Sequence, residues 1–336
     1  MNIYHIPIFV PHKGCPHDCV FCNQRHITGN CEETTPDDAV GIIEEHLGTI
    51  HGDYYAEIAF FGGSFTAIDA NSRQALLKAA YPYVKSGKVN GVRCSTRPDY
   101  IDENILKEFK EYGGTCIELG VQSTDELVLK KSRRGHSFED VKKSSELIKS
   151  MGIELGLQMM LGLPGDTKEK MLKTCEDLIS LNPSCVRIYP TLVVKDTALC
   201  TMYENSDYTP LTIEEAIDVL SIIIPRFQNA GIDVIRVGLQ TTDDINEETV
   251  AGPYHPAIKE LAQSRIIRNL LEECIGNLKE NSTVYCNPSA VSRVVGHKKC
   301  NKEYFKQKYG IDIKVATDGE VSCEELKICN KIVAIC

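Results

Sequence analysis

The sequence predicts an α/β fold built on a parallel sheet, and three observations carry that expectation. Six apolar runs rich in β-branched and aromatic residues, at 6–10, 58–61, 92–95, 116–121, 153–160 and 186–189, alternate with helical patterns at 36–48, 70–85, 103–112, 138–151 and 168–181. Strand–helix repeats of this kind imply parallel strands joined by right-handed crossovers. Polar and glycine-rich residues gather at the carboxyl end of every run. A parallel sheet places its ligand site there, whether it closes into a full or partial barrel or stays open and doubly wound. Finally, 336 residues suffice for one large α/β domain, expected over 1–230, plus a smaller appendage over 231–336.

The first run leads into Gly14-Cys15-Pro16-His17-Asp18-Cys19-Val20-Phe21-Cys22, a Cys-x3-Cys-x2-Cys loop. Thiolates this close can converge on one metal, and cysteine ligation suits Zn, Cu(I) or an iron–sulfur cluster. Only three cysteines are grouped. Zn would need Cys31 or a histidine as fourth ligand, whereas a cubane would leave one iron open to a reacting ligand. Without metal, Cys19 and Cys22 read as a redox pair or as small packed residues.

Thr35-Pro36-Asp37-Asp38 signals a helix start, with proline in the first turn and acids after it. The second run ends in Phe61-Gly62-Gly63-Ser64-Phe65-Thr66. Its glycines either let backbone approach a ligand and present amides to it, or turn the chain from strand to helix. Ser95-Thr96-Arg97-Pro98-Asp99 ends the third run, where Arg97 could clamp a carboxylate bidentately or pair with Asp99. Glu118 and Gln122 on the fourth run and Gln158 on the fifth need polar partners inside strands that are otherwise buried. A ribose, an amino-acid ligand or internal hydrogen bonds would supply them. Ser137-Phe138-Glu139-Asp140 starts a helix, Gly152 stops it, and Gly162-Leu163-Pro164-Gly165 reads as a turn. The sixth run ends in Arg187-Ile188-Tyr189-Pro190-Thr191.

Beyond these repeats the sequence predicts a strand at 232–237, a helix at 256–278, another near 302–308, and strands at 311–316 and 332–335. A net charge of −10 gives no general attraction to nucleic acid. Basic residues nonetheless cluster at Lys130, Lys131, Arg133 and Arg134, and again at Arg293, Lys298, Lys299, Lys302, Lys306, Lys308 and Lys314. Such runs are solvated surface or phosphate contacts. No stretch is apolar enough to span a membrane, and Met1-Asn2-Ile3-Tyr4-His5 carries no signal-peptide pattern. Fifteen cysteines without such a signal point to a reducing cytoplasm. Cys94, Cys116 and Cys185 sit inside apolar runs as packing residues, and the cysteines from Cys274 onward show no close ligand pairing.

The cysteine loop, with an aromatic residue just before its last cysteine and a Gly-Gly pair after the second strand, resembles the radical S-adenosylmethionine (SAM) superfamily. Phe61-Gly62-Gly63-Ser64-Phe65-Thr66-Ala67, Ile117-Glu118-Leu119-Gly120-Val121-Gln122-Ser123, Arg134-Gly135-His136-Ser137 and Ile188-Tyr189-Pro190-Thr191-Leu192-Val193 resemble the branch containing the catalytic subunit of Elongator. The likeness is weaker through Gly252-Pro253-Tyr254-His255-Pro256. It implies a partial (β/α)6 TIM-like barrel with a smaller α+β C-terminal domain over its open side. It also implies a 4Fe–4S cluster on Cys15, Cys19 and Cys22, whose fourth iron binds SAM. An electron from a flavodoxin- or ferredoxin-type donor would cleave SAM to a 5′-deoxyadenosyl radical that abstracts hydrogen from a substrate.

By the same resemblance Phe21 packs beside cluster and adenine, and Gly62 and Gly63 lie against the methionine moiety. Ser64 stands where many members carry an acid. Arg97, Glu118, Gln122, Arg134 and Gln158 line the SAM pocket, with Arg134 or Arg97 neutralising the SAM carboxylate. Elongator's subunit also carries an acetyltransferase domain, for which the about 100 residues after the barrel are too few. The expected substrate is a tRNA, at the wobble uridine, contacted through the two basic stretches. Two alternatives are a radical SAM enzyme of a small molecule such as a porphyrin, and a Zn- or cluster-stabilised RNA-binding protein without catalysis.

Overall fold

The computed structural model describes residues 2–10, 19–22, 34–239, 247–278, 282–328 and 331–335. All six predicted runs form strands, each reaching beyond its apolar centre: β1 (Asn2–Val10), β2 (Tyr54–Gly62), β3 (Gly91–Thr96), β4 (Gly114–Gln122), β5 (Glu154–Leu161) and β6 (Cys185–Pro190). They pair in parallel in chain order. The predicted strand near 232–237 joins them: after the short β7 (Val193–Val194), β8 (Asp233–Val237) pairs parallel with β6 as the seventh strand. The sheet curls into a half-barrel, the partial TIM-like form that the resemblance implies.

The crossover helices begin where their sequences place caps. In α1 (Pro36–Thr49) the Thr35 side chain and Asp38 form a capping box, and in α5 (Phe138–Ser150) Ser137 and Asp140 do the same. Asp69, Asp102 and Thr167 cap α2 (Ala70–Lys85), α3 (Glu103–Glu111) and α6 (Lys168–Ser180). The sequence reading did not single out α4 (Glu126–Lys131), α7 (Ala198–Glu204) or α8 (Ile213–Asn229), of which α8 buries Leu220, Ile223, Ile224 and Phe227.

Strand periodicity sorts the sheet's two faces. Ile58, Phe60, Val92, Cys94, Ile117 and Leu119 are fully buried in the main core. Each such side chain contributes about 1.5–3 kcal/mol by leaving water. On the alternate positions stand Glu57, Arg93, Glu118 and Arg187, also buried. Those charges point into the barrel and therefore must satisfy one another.

After β9 (Thr249–Ala251), which pairs with β7, helix α9 (Ile258–Glu273) spans two cores. Its Ile258 and Ala262 pack into the main cluster, while Ile267 and Leu271 pack into a second one with Val284, Phe305 and Leu326. That second core lies under α10 (Val291–Val295), α11 (Cys300–Tyr309) and a four-stranded sheet of order β11-β10-β12-β13. Its strands are β10 (Thr283–Cys286), β11 (Lys314–Thr317), β12 (Glu325–Ile328) and β13 (Lys331–Ala334). Among the described residues no helix is long and apolar enough to cross a membrane.

Candidate cluster and SAM site

The cysteine loop is described at residues 19–22; Cys15 and Cys31 lie outside the described residues. This short segment is pinned on both sides. Val20 donates its amide to Ser132 O (3.2 Å) and accepts from the Leu199 amide (2.7 Å). Its side chain is buried with Val193, Leu199 and Tyr208, and Phe21 packs on that group. Cys19 is buried and Cys22 half-buried.

The strand ends beside it hold the predicted pocket residues. Gly62 adopts φ +117°, and a Cβ there would stand 2.4 Å from Val10 O. Gly63 donates its amide to that same oxygen at 3.2 Å. The pair therefore lets the end of β1 close onto β2, and the Gly63 amide is bonded inside the protein. Ser64 is likewise engaged: its Oγ lies 2.8 Å from Thr96 Oγ1 and accepts the Arg97 amide at 3.2 Å.

Arg97 pairs bidentately with Asp99, Nε to Oδ1 and Nη2 to Oδ2, both at 2.9 Å, and Nη2 also donates to Arg134 O at 2.6 Å. Arg134 Nη1 donates to Cys19 Sγ at 3.4 Å, and Nη2 donates to Gly120 O. The bare Cα of Gly120 makes room, since a Cβ there would lie 3.1 Å from both Arg134 Nη2 and Gln122 Nε2. Gln122 sits at φ +70°, a conformation rare for a residue with a side chain and concentrated where local structure serves a site. After these bonds, Arg97 Nη1, Gln122 Oε1 and Arg134 Nε are buried and have no partner among the described residues. Such groups are costly to leave unsatisfied, so two donors and an acceptor on Arg134 and its neighbours Arg97 and Gln122 call for further polar atoms.

Glu118 and Gln158 belong to a separate layer inside the barrel. Glu118 accepts from Arg93 Nη1 (3.0 Å), Arg187 Nε and Nη2 (2.5 and 3.0 Å) and Gln158 Nε2 (3.1 Å). Arg93 also binds Glu57 at 2.7 Å, and Gln158 Nε2 reaches Ser95 Oγ at 3.0 Å. Burial alone would raise the Glu118 pKa, but the Arg187 and Arg93 guanidiniums and Gln158 outweigh it and hold it below the usual range. Both carboxylate oxygens are thus taken by internal partners, and the layer braces five strands, β2 to β6. Glu57, Arg93 and Arg187 were not singled out as site residues from the sequence. The available signal was charge at alternate positions of strands read as buried.

His136, whose Nε2 lies 3.2 Å from Val121 O, is driven down to a pKa of about 3 by burial and then by Arg134 and Arg97. It stays a neutral neighbour of the two arginines.

A curled parallel half-barrel of this kind is the fold of the radical SAM superfamily. The chain belongs to that superfamily: it matches over residues 9–178, and residues 183–268 match the radical SAM C-terminal domain. Members of the superfamily use a 4Fe–4S cluster and SAM. Among its relatives is a tRNA uridine(34) acetyltransferase of Methanocaldococcus jannaschii, 32% identical over 208 residues, which are 55% of this chain and 38% of the relative. Human Elongator complex protein 3 is 30% identical over 248 residues, 67% of this chain and 44% of that protein. An uncharacterized protein of Methanocaldococcus jannaschii is 30% identical over 232 residues, 65% of this chain and 70% of that one. The chain therefore spans well under half the length of the named enzymes it matches. Among solved structures, the archaeal Methanocaldococcus infernus Elp3 with an N-terminal deletion shares the fold, with TM-score 0.63 at 24% identity, over 80% of this chain and 64% of that one.

The residues present suit the superfamily's cofactors. Cys19 and Cys22 offer sulfur, and the unpartnered atoms of Arg97, Gln122 and Arg134 offer the donors and acceptor that an amino-acid moiety next to that sulfur requires.

Proposed function

We propose that this chain is a radical SAM enzyme that modifies an RNA, with tRNA at its wobble uridine as the substrate. The observation that carries the reading is the set of buried polar atoms on Arg97, Gln122 and Arg134 that have no partner among the described residues, with Arg134 itself against the Cys19 sulfur. When bound, the cluster and SAM supply a 5′-deoxyadenosyl radical able to abstract hydrogen. Cys15, Cys19 and Cys22 hold the cluster, and Arg134, placed against the Cys19 sulfur, fixes the loop relative to β4. Arg97 and Arg134 neutralise a carboxylate, while Gln122 Oε1 accepts from an amino group.

In this reading residues 1–230 carry the chemistry. Residues 231–336 contribute the edge strand β8 and an α+β body that keeps water from the barrel. A flavodoxin- or ferredoxin-type protein supplies the electron. Named relatives act on tRNA uridine 34, which favours RNA. Of the first basic run, Lys130, Lys131 and Arg133 are exposed and can meet phosphate; Arg134 is buried and faces the site.

The test is anaerobic. The reconstituted protein is given dithionite and SAM, and 5′-deoxyadenosine is followed by mass spectrometry with and without total tRNA. Deoxyadenosine stimulated by tRNA is expected. An intact cluster that yields none would refute the enzymatic reading, and yield indifferent to tRNA would move the substrate to a small molecule.

A further inference from the structure

The C-terminal basic residues lie on a surface that is continuous with the mouth of the barrel. His255 lines a small cavity with Pro190, the last residue of β6, and Gly238, just beyond the end of β8. Its ring meets that of His297 edge to face, with centroids 5.8 Å apart. His297 and Lys298 in turn line a broad open groove with Glu260, Pro288, Ser289 and Ser292. The histidine contact thus joins the strand-end hollow to the groove.

The charge along this surface is unbalanced. Lys302 and Lys308 are engaged by Asp312 (3.8 Å) and Glu272 (2.8 Å). The exposed Lys298, Lys299, Lys306 and Lys314 have no carboxylate partner among the described residues. Nearer the barrel, Lys259 is half-buried and its ammonium donates to Val234 O at 3.0 Å. Burial and then neighbouring Arg236 lower its pKa, marking a place where cations crowd. In a chain of net charge −10, this face sets Lys298, Lys299, Lys306 and Lys314 against Glu260 and Glu303, an excess of positive charge.

The backbone adds an independent feature. Gly296, Lys298 and Lys299 adopt φ of +81°, +51° and +65° in succession. Glycine takes this region freely, whereas a residue with Cβ does so at a cost. Neither lysine is buried, so packing does not account for lysine there. What the side chains add is charge on flexible arms.

We propose that the surface from His255 across His297 to Lys298 and Lys299 is the track along which the phosphate backbone of an RNA substrate runs toward the strand ends. The proposal rests on the RNA reading above. Lysines hold phosphates without reading sequence, and the two imidazoles offer stacking or hydrogen bonds to an unpaired nucleotide as it approaches the barrel.

The experiment uses the full-length, reconstituted protein and a fluorescently labelled tRNA transcript, with anisotropy titrations over a salt series. Three variants are compared with wild type: Lys298→Gly/Lys299→Gly, Lys298→Glu/Lys299→Glu, and Lys85→Glu as a control for an exposed lysine on α2. The glycine pair is expected to melt higher than wild type, because the strain is relieved, yet to bind about tenfold more weakly with a salt slope lower by about 2. The glutamate pair should bind more weakly still, and Lys85→Glu as wild type. Deoxyadenosine formed without RNA should be unchanged in all three. If the glycine pair keeps wild-type affinity and slope, the track is wrong while the RNA reading stands. If wild type retains no tRNA at low salt, the RNA reading falls and the track with it. Displacement of tRNA by polyglutamate at equal charge would reassign the surface to an acidic protein.

Discussion

Arg134 reaches across 115 positions of sequence to place its Nη1 3.4 Å from the Cys19 sulfur, while its Nη2 is held by the Gly120 carbonyl. One side chain thereby ties the cysteine segment to the fourth strand and sets a fixed positive charge next to the sulfur. Arg134→Gln would remove that charge and the geometry of the fork. Loss of a buried charge-assisted bond costs about 1.5–3 kcal/mol. The variant should fold with a lowered Tm, and it should retain less iron and bind SAM at least about tenfold more weakly, as that free energy implies. Iron per chain and visible absorbance after reconstitution check this. Wild-type iron loading with wild-type SAM affinity would show the contact to be dispensable.

Gly62→Ala tests the close approach of the end of β1 to Gly62. Its φ of +117° and the 2.4 Å approach of a built Cβ to Val10 O leave no room for a methyl group. An unfavourable backbone conformation alone costs about 1–3 kcal/mol, and the clash adds to it. Because Val10 leads into the cysteine loop, the displaced strand end should impair iron loading more than the lost stability alone predicts. Comparing iron content at a temperature where the variant is fully folded separates the two effects.

Glu118 offers a discrimination between structural bracing and direct contact with SAM. Its carboxylate meets two buried guanidiniums and Gln158. Glu118→Ala leaves Arg187 without its carboxylate and Arg93 with Glu57 alone, at about 3–5 kcal/mol for breaking a buried pair. Glu118→Gln retains an acceptor and should cost less. In the Gln variant the loss of denaturant midpoint should exceed any change in SAM affinity. The opposite ranking would return Glu118 to the ligand pocket.

Much of this arrangement was legible in the sequence, for reasons that also define its limits. The helix caps at Thr35 and Ser137 and the strand centres at Ile58, Val92 and Ile117 are local signals, and the structure places them as expected. Strands buried on both faces read as continuous apolar runs, so the short C-terminal strands β10 and β12, of four residues each, gave too little pattern. The partners of Glu118 are 25, 40 and 69 positions away, and only the register of adjacent parallel strands brings them together. Likewise Arg134 reads as part of an exposed basic run, because nothing local shows that the turn after α4 directs it inward.

Buried histidines and a buried aspartate pull the pH dependence of stability in opposite directions. Burial, with Arg93 adding to it, lowers His5 from 6.5 to about 4, although Glu57 lies 3.6 Å away. Between those values the unfolded chain binds the proton and the folded one does not, so this contribution is complete above pH 6.5 and lost as the pH falls toward 4. His136, held near 3 by burial, acts with the same sign. Asp166 behaves oppositely. Burial raises it from 3.8 to about 6 despite the backbone amides of Thr167, Gly162 and Leu163. Its folded form keeps a proton that the unfolded chain has released, so its contribution is present at low pH and lost as the pH rises through about 6. Each group changes stability by up to about 1.4 kcal/mol per pH unit within its window. Asp166→Asn should therefore make the protein lose stability more steeply on acidification, and His5→Gln should flatten the curve. Urea midpoints taken at intervals between about pH 4 and 7 read both slopes. Curves for both variants parallel to wild type would mean that neither group changes its proton affinity on folding.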